Sequence, residues 1–367
     1  MAASVSRSIW SHLADVANLA TTPLAPSHYI ELVSPLRATH TRNARIELVH
    51  DEAGGARTLT LRPGRGWRAH RAGQFVAVSA GVAGRVVTRT YSISSAPERT
   101  DGCITITVKG VAGGKMSGHL VRDAKAGDYL TLGRAEGEFV VPEGAPVRAL
   151  FVTAGSGVTP VMSILRSFAA RGTMPDAVHV HYAPRAEDAI FGAELARLAE
   201  EFPRYRFTLV QTQSEGERKG ERHFDRAQLD ALVPDWQTRE AWACGPEALL
   251  GAIESCFEKA ARRKQLHLER FRPVLAPADP NAAGGRVRFG RSRKEVEANG
   301  HMPLLAVAEG AGVNAPHGCR MGICHSCDAT LVKGCVRDLR NGHRIDEPGA
   351  RVQVCVCAAA GDVELAL

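Results

Sequence analysis

Hydrophobic and polar positions follow two different rhythms along the chain, and the change of rhythm divides it. From Arg45 to Val141 apolar residues recur at every second position in short runs: "ARIELVHD", "RTLTLRP", "GQFVAVSA", "ITITVKG" and "DYLTLG". Glycine and proline separate the runs. Alternating, β-branched segments at this spacing predict a small antiparallel β-barrel over residues 41–143. After Pro146, apolar strands alternate with helical stripes. "RALFVTAG" leads into "TPVMSILRSFAA", where Pro160 falls in the first helical turn and its missing N–H costs little. "AVHVHYAP" leads into "DAIFGAELARLAEEF", whose Phe191, Leu195, Leu198 and Phe202 share one face. "YRFTLVQTQ", "REAWACG" and "PEALLGAIESCFEKA" continue the order. Strand–helix alternation predicts a parallel α/β sheet over 144–264. The Pro-, Ala- and Gly-rich "RFRPVLAPADPNAAGG" reads as a linker, placed at 265–285. A small separate unit, 286–367, remains. Ahead of the barrel, residues 1–40 form an extension in which Ile9, Leu13, Val16 and Ala20 fall on one helical face until Pro23 and Pro26 end the pattern. That stripe suits a helix packed on its own protein, or one lying on a partner or membrane surface.

Composition narrows the setting. The 367 residues are 44% hydrophobic, as in an ordinary multidomain globular protein. The net charge of +7 comes from scattered basic residues. It suits an anionic cofactor or a membrane surface and gives no reason to expect a nucleic-acid partner. No apolar run reaches the roughly 18 residues of a membrane-spanning helix. The N-terminus lacks the basic-then-apolar order of a secretory signal. Most of the nine cysteines crowd towards the C-terminus. In the cytoplasmic, reducing compartment this implies, clustered cysteines bind metal or do redox chemistry more often than they form disulfides.

The cysteine spacing is specific. In "PHGCRMGICHSC", four residues separate Cys319 from Cys324 and two separate Cys324 from Cys327, and Cys355 follows after a gap of 27 residues. This is the plant-type ferredoxin spacing for a [2Fe–2S] cluster. Gly318 and Gly322 let the loop turn tightly, so that backbone N–H groups can face the sulfurs. A structural zinc site would need Cys355 and Cys357, one residue apart, as its second pair. Cys355 is favoured as the fourth ligand over Cys357, and Cys335 reads as an ordinary small buried residue.

Other segments offer sites for the groups that would feed such a cluster. "RTYSISS" begins at Arg89 and holds an arginine suited to phosphate, an aromatic ring and a hydroxyl, a weak signal taken alone. "GVAGGKMSGHL" opens a glycine loop before a short helix, whose free N–H groups suit a pyrophosphate. "VTAGSGVTP" joins strand to helix with Gly155 and Gly157, although Pro160 stands where a dinucleotide fingerprint has its last glycine. "WACGPEALL" ends a strand at the same sheet edge, where ligands of such sheets bind.

The order "RTYS", "GGKMSGHL", "GSGVTP", "CGPEALL" and "GCRMGICHSC…VCVC" resembles the ferredoxin–NADP reductase superfamily, specifically single-chain reductases with a C-terminal plant-type ferredoxin. It is most similar to bacterial reductases serving acyl-CoA desaturases and oxygenases. The resemblance implies a multidomain protein: an antiparallel β-barrel binding a flavin, an α/β nucleotide domain, and an α+β ferredoxin domain of β-grasp type. The flavin loop is more like the FAD form, while "KMS" departs from the commoner small-residue pattern and leaves FMN open. It implies that Arg89 binds a flavin phosphate, Tyr91 packs on the isoalloxazine and Ser92 lies near its reactive nitrogen. Lys109, Gly114, Met116 and Ser117 would border the flavin's ribityl and pyrophosphate groups. Gly155, Gly157, Thr159, Gly245 and Pro246 would border the nicotinamide nucleotide, with Cys244 near its ring. Cys319, Cys324, Cys327 and Cys355 would hold the iron. Electrons would pass from NADPH or NADH through FAD and the cluster to a desaturase or oxygenase, with membrane-surface contact through that partner and the reductase itself a monomer. Arg185, with Arg218, Lys219 and Arg222, could meet a 2′-phosphate, which favours NADPH. The ferredoxin part has 11 basic and 9 acidic residues. It lacks the strong acidity by which a separate ferredoxin is steered, as suits an attached donor. A redox sensor without turnover is the alternative class, and the intact nucleotide loop argues against it.

Overall fold

A computed structural model describes residues 31, 33–38, 41–142, 144, 148–213, 223–271, 275, 282–323 and 325–367. The amphipathic stripe of Ile9, Leu13, Val16 and Ala20, the basic residues Arg218, Lys219 and Arg222, and the expected ligand Cys324 lie outside these residues.

The alternating N-terminal runs form a six-stranded antiparallel sheet that closes as the expected barrel. Its strands are β1 (Asn43–Glu52), β2 (Ala56–Pro63), β3 (Phe75–Val82), β4 (Arg85–Ser92), β5 (Ile104–Lys109) and β6 (Tyr129–Glu136), in the order β4-β3-β6-β1-β2-β5. Side chains of period two put Ile46, Leu59, Leu61, Val76, Val78 and Ile106 inside with no exposure. Burying each such side chain stabilises by about 1.5–3 kcal/mol. Helix α1 (Lys115–Arg122) packs on this core through Met116 and Leu120.

The second rhythm builds a five-stranded parallel sheet: β7 (Arg148–Ala154), β8 (Asp176–Ala183), β9 (Tyr205–Gln211), β10 (Glu240–Cys244) and β11 (Leu266–Glu269), in the order β11-β10-β7-β8-β9. Helices α2 (Val158–Arg171) and α3 (Gly192–Glu201) cover the face carrying Phe151 and Trp242. Helices α4 (Arg226–Leu232) and α5 (Glu247–Lys259) cover the face carrying Leu150 and Val152. Strand β11 pairs with β10 from Ala241↔Leu266 to Cys244↔Glu269. The sheet therefore runs past the expected boundary at 264, and the segment assigned to linker begins with an edge strand. Four residues are too short for a sequence period to reveal; pairing with a buried neighbour makes the strand.

The C-terminal unit is the expected α+β domain. Its mixed sheet comprises β12 (Gly285–Phe289), β13 (Lys294–Ala298), β14 (Asp328–Asp338), β15 (Arg344–Ile345) and β17 (Cys357–Leu365), with β16 (Arg351–Gln353) paired to β14. Helix α6 (Leu304–Gly310) buries Leu304, Leu305 and Val307 against it.

Polar contacts fasten the units together. From α2, Ser163 Oγ donates to Ser95 O at 2.6 Å, Arg166 Nη1 to Ser94 O at 2.7 Å and Ser167 Oγ to Glu98 Oε1 at 2.9 Å. From the third unit, Met321 Sδ accepts from Thr90 Oγ1 on β4 at 3.6 Å.

Candidate active site

The carboxyl edge of the parallel sheet gathers most residues expected at the nucleotide. Gly155 opens the turn after β7 with φ +53°, a left-handed conformation that favours glycine. Gly157 is needed for a different reason. A Cβ there would stand 2.0 Å from Cys244 O and 2.8 Å from Gly245 N. The turn and the end of β10 are thus in backbone contact, which brings together two motifs some ninety residues apart. Thr159 Oγ1 donates to Ser156 O at 2.9 Å and is buried, so its hydroxyl locks the turn. Pro246 is the N-cap of α5. Cys244 has no exposure, and burial pushes its thiol well above the usual range. Beneath the turn runs a buried polar chain. Thr153 Oγ1 lies 2.7 Å from both His179 Nε2 and His181 Nδ1, and His179 Nδ1 lies 2.9 Å from Tyr205 OH. Burial pushes the His181 imidazole down to about 4, so it stays neutral.

On the barrel, β4 presents the expected flavin residues. Arg89 Nη1 donates to Thr88 O at 2.7 Å, and burial lowers its pKa, helped by the neighbouring Arg320. Burial raises the Tyr91 phenol, against the opposing pull of Arg89. Ser92 is buried, and its Oγ has no hydrogen-bond partner among the described residues. In α1 the expected residues separate. Met116 is 1% exposed, and its side chain packs in the barrel core. Ser117 Oγ accepts from Val111 N–H at 3.3 Å and donates to Gly114 O at 3.4 Å, holding the glycine loop closed. Lys109 ends β5 beside that loop.

Ser92 opens into a cavity of about 480 Å³ lined by all three units. The barrel contributes Phe75, Thr90 and Ser92; the nucleotide unit contributes His267 and Glu269, with Phe271 just beyond β11; the C-terminal unit contributes Met321 and Ile323. Sequence reading missed this middle group because it treated 265–285 as linker. His267 stacks on Trp242 at 4.9 Å with planes 13° apart, and its Nε2 lies 2.8 Å from Glu240 Oε1. Glu269 Oε2 is buried without a partner among the described residues, and burial pushes its carboxyl up to about 8. An unpartnered hydroxyl and an unpartnered carboxyl oxygen on one cavity fit a heteroaromatic ring that offers both hydrogen-bond donors and acceptors, such as a flavin.

The cysteine loop lies against this cavity. Cys319, Cys327 and Cys355 are buried, and the Sγ atoms of Cys327 and Cys355 stand 3.2 Å apart. Met321 N–H points at Cys319 Sγ at 3.3 Å. Gly322 has φ +70°, and a Cβ there would stand 2.6 Å from Arg340 Nη1. Arg340 in turn bonds Gly322 O at 2.9 Å and Asp338 Oδ2 at 2.7 Å, clamping the loop. Cys355 sits in the turn just past β16, whose last residue is Gln353, and not within the strand itself. Cys357 begins β17 with 1% exposure, and burial pushes its thiol up to about 12. Cys335 is only half-buried, with Sγ 3.6 Å from Val336 O. A soft, buried thiol set with a backbone N–H aimed at one sulfur fits an iron–sulfur cluster.

Comparison with known proteins agrees with this division. Family models match in three places: an oxidoreductase FAD-binding domain at 68–140, an oxidoreductase NAD-binding domain at 151–255 and a 2Fe-2S iron-sulfur cluster binding domain at 288–360. An NADPH oxidoreductase of Mycobacterium tuberculosis is 43% identical over 359 residues, covering 97% of this chain and 92% of that protein. The ferredoxin reductase component of a 3-ketosteroid-9-alpha-monooxygenase from Mycolicibacterium smegmatis is 33% identical, covering 66% of this chain and 70% of that one. Phthalate dioxygenase reductase shares the fold with a TM-score of 0.61 at 23% identity, covering 89% of this chain and 97% of the other. With FAD-binding, NAD-binding and [2Fe–2S] units in that arrangement, the chain belongs to the ferredoxin–NADP reductase superfamily, as a single-chain oxidoreductase with a C-terminal [2Fe–2S] domain.

Proposed function

We propose that the chain draws electrons from NADPH and delivers them to a membrane di-iron fatty-acyl desaturase. The observation that carries the electron route is the shared cavity, where Ser92, Glu269 and Met321 meet from three different units. When bound, FAD supplies the exchange between a two-electron hydride donor and one-electron acceptors. The protein's part is to bind and orient. The Gly155–Gly157 turn and the N-terminus of α2 receive a pyrophosphate on backbone N–H groups. Arg89 pairs with a flavin phosphate, while Tyr91 and Ser92 border its ring. Gly114 and Ser117 shape the loop that closes over the flavin's phosphates. Burial raises the Glu269 carboxyl to about 8, so it would carry a proton at neutral pH and add no negative charge beside a bound flavin. Cys319, Cys324, Cys327 and Cys355 hold the cluster, and the Thr90–Met321 contact sets its loop against the flavin strand.

The NADPH preference rests on Arg185, which is exposed beyond the end of β8 and lies 3.2 Å from Asp188 and 3.3 Å from Glu187. A 2′-phosphate would compete for it with those carboxylates. Arg185→Leu is expected to raise KM for NADPH about tenfold while leaving NADH kinetics unchanged, the loss of one charge-assisted contact. Equal loss with both nucleotides would remove Arg185 from the 2′-phosphate site.

The acceptor is tested by two reconstitutions with NADPH. One uses membranes carrying an acyl-CoA desaturase, the other a soluble Rieske-type oxygenase. Turnover only with the desaturase supports the reading. Turnover only with the oxygenase favours the second reading, an oxygenase reductase, which the names of several relatives support.

A further inference from the structure

Residues 53–97 contain seven arginines and not one aspartate or glutamate. Residues 32–46 contain Arg37, Arg42 and Arg45 and likewise no acid. Elsewhere the charges are mixed, so these two stretches stand apart, and the fold joins them at one corner of the barrel. Arg65 N–H donates to Leu36 O at 3.0 Å. A Cβ on Gly64 would stand 2.4 Å from Leu36 O, and one on Gly66 would stand 3.2 Å from Arg42 Cγ. Trp67 packs inward on the barrel core and fixes the loop tip, with its N–H on Gly64 O at 3.1 Å.

Four guanidiniums gather there: Arg37, Arg42, Arg65 and Arg68. Three are exposed and Arg42 is half-buried. Among the described residues none of the four has an ion pair. Their sequence neighbours behave differently. Arg57 bonds Asp51 at 2.7 Å, and Arg62 bonds Glu47 at 3.1 Å. Arg71, Arg85 and Arg89 likewise have no ion pair among the described residues, but Arg37, Arg42, Arg65 and Arg68 are the four that the fold brings to this one corner. Beside it Val33 is 89% exposed.

We propose that this corner binds the anionic headgroups of a lipid bilayer. Two observations favour lipid over an acidic protein. First, the patch combines unpaired guanidiniums with an exposed apolar side chain, and the sequence leading into it carries the stripe of Ile9, Leu13 and Val16 with Arg7 and Asp15 as its sole Lys, Arg, Asp or Glu residues. A bilayer surface accepts both kinds of group. Second, an electron acceptor must approach the cluster, whose loop lies on β4. In the sheet order, β1 is three strands from β4, roughly 14 Å at ~4.8 Å per strand. A membrane at the corner leaves the cluster's surroundings open to the acceptor. The inference does not depend on which acceptor is served, because lipid binding is measured without one.

The test is co-sedimentation of the full-length holoprotein with phosphatidylcholine vesicles, with and without phosphatidylglycerol. Binding is expected only with phosphatidylglycerol, and high salt is expected to abolish it. The triple variant Arg37→Glu/Arg65→Glu/Arg68→Glu is expected to bind about 100-fold more weakly, at about fivefold per guanidinium. Its flavin spectrum and NADPH-driven ferricyanide reduction should be unchanged, which shows that it folds. A control triple with the same charge change elsewhere, Arg204→Glu/Arg262→Glu/Lys264→Glu, should retain binding. Absence of binding by the wild type overturns the proposal, and so does equal weakening of both triples. Vesicle binding that survives in the corner variant would assign any membrane contact to another segment. A corner variant that slows only electron transfer to the protein acceptor would make the corner a protein-docking face.

Discussion

Replacing Cys355 by serine is expected to abolish the reduced-cluster EPR signal, while replacing Cys357 leaves it intact. Both thiols are buried with a single residue between them, so the sequence alone separates them weakly. Position in the fold separates them clearly. Cys355 lies in the turn between β16 and β17 with its sulfur 3.2 Å from that of Cys327. Both belong to the buried cluster of the domain, but Cys357 is the first residue of β17 and is held in its ladder in register with Asp338. The Cys355→Ser protein should still reduce ferricyanide, which can draw on the flavin. One-electron transfer to cytochrome c through the cluster should fall about 100-fold, the loss of a step that cannot be bypassed at the same distance. The Cys357→Ser protein should keep both activities and lose about 1–3 kcal/mol of stability, the cost of a poorly paired hydroxyl in a core. If Cys357→Ser alone removes the EPR signal, the ligand assignment is wrong.

The second large effect concerns Glu269. Its carboxyl is pushed up to about 8 by burial, from an ordinary value of 4.5. A carboxyl whose folded value is raised holds a proton that the unfolded chain has already lost. Stability therefore falls as pH rises from about 4.5 to about 8, and the penalty is complete above that window. Glu269→Gln keeps the shape and removes the titration. The melting temperature of the wild type should drop across this window more steeply than that of the variant. The NADPH-driven rate should respond in the same sense. Above about pH 8 the wild-type carboxylate puts negative charge on the cavity proposed to hold the flavin, so the rate is expected to fall. Glu269→Gln should hold its neutral-pH rate to within about threefold and lose the alkaline fall. An unchanged alkaline limb in the variant would assign that titration to another group.

Much of this was legible because it depends on local rules. Period-two alternation placed Leu59, Leu61, Val76 and Val78 inside a barrel, and the barrel is there. Strand–helix alternation from Arg148 to Lys259 follows from the same kind of pattern, since a parallel strand needs a crossover to reach its neighbour. The cysteine spacing named the cluster because chain geometry limits how few residues can wrap iron. Gly155 was legible as a loop glycine. The reason Gly157 has no alternative was not, because Cys244 O, its neighbour at 2.0 Å from an added Cβ, is 87 residues away.

By itself the sequence determined the three units, their order and the cofactor classes, all carried by short periods and fixed spacings. Only the tertiary structure decided how those parts share one cavity. It drew Leu266–Glu269 into the sheet as an edge strand, left the Ser92 hydroxyl and the Glu269 carboxyl orphaned on the same space, and turned Met116 into core. It also gathered arginines from two stretches of chain onto one corner, where none of the four has an ion pair among the described residues. The physical reason is common to these cases. Burial, desolvation and close backbone approach depend on which distant residues become neighbours, and no local pattern records that.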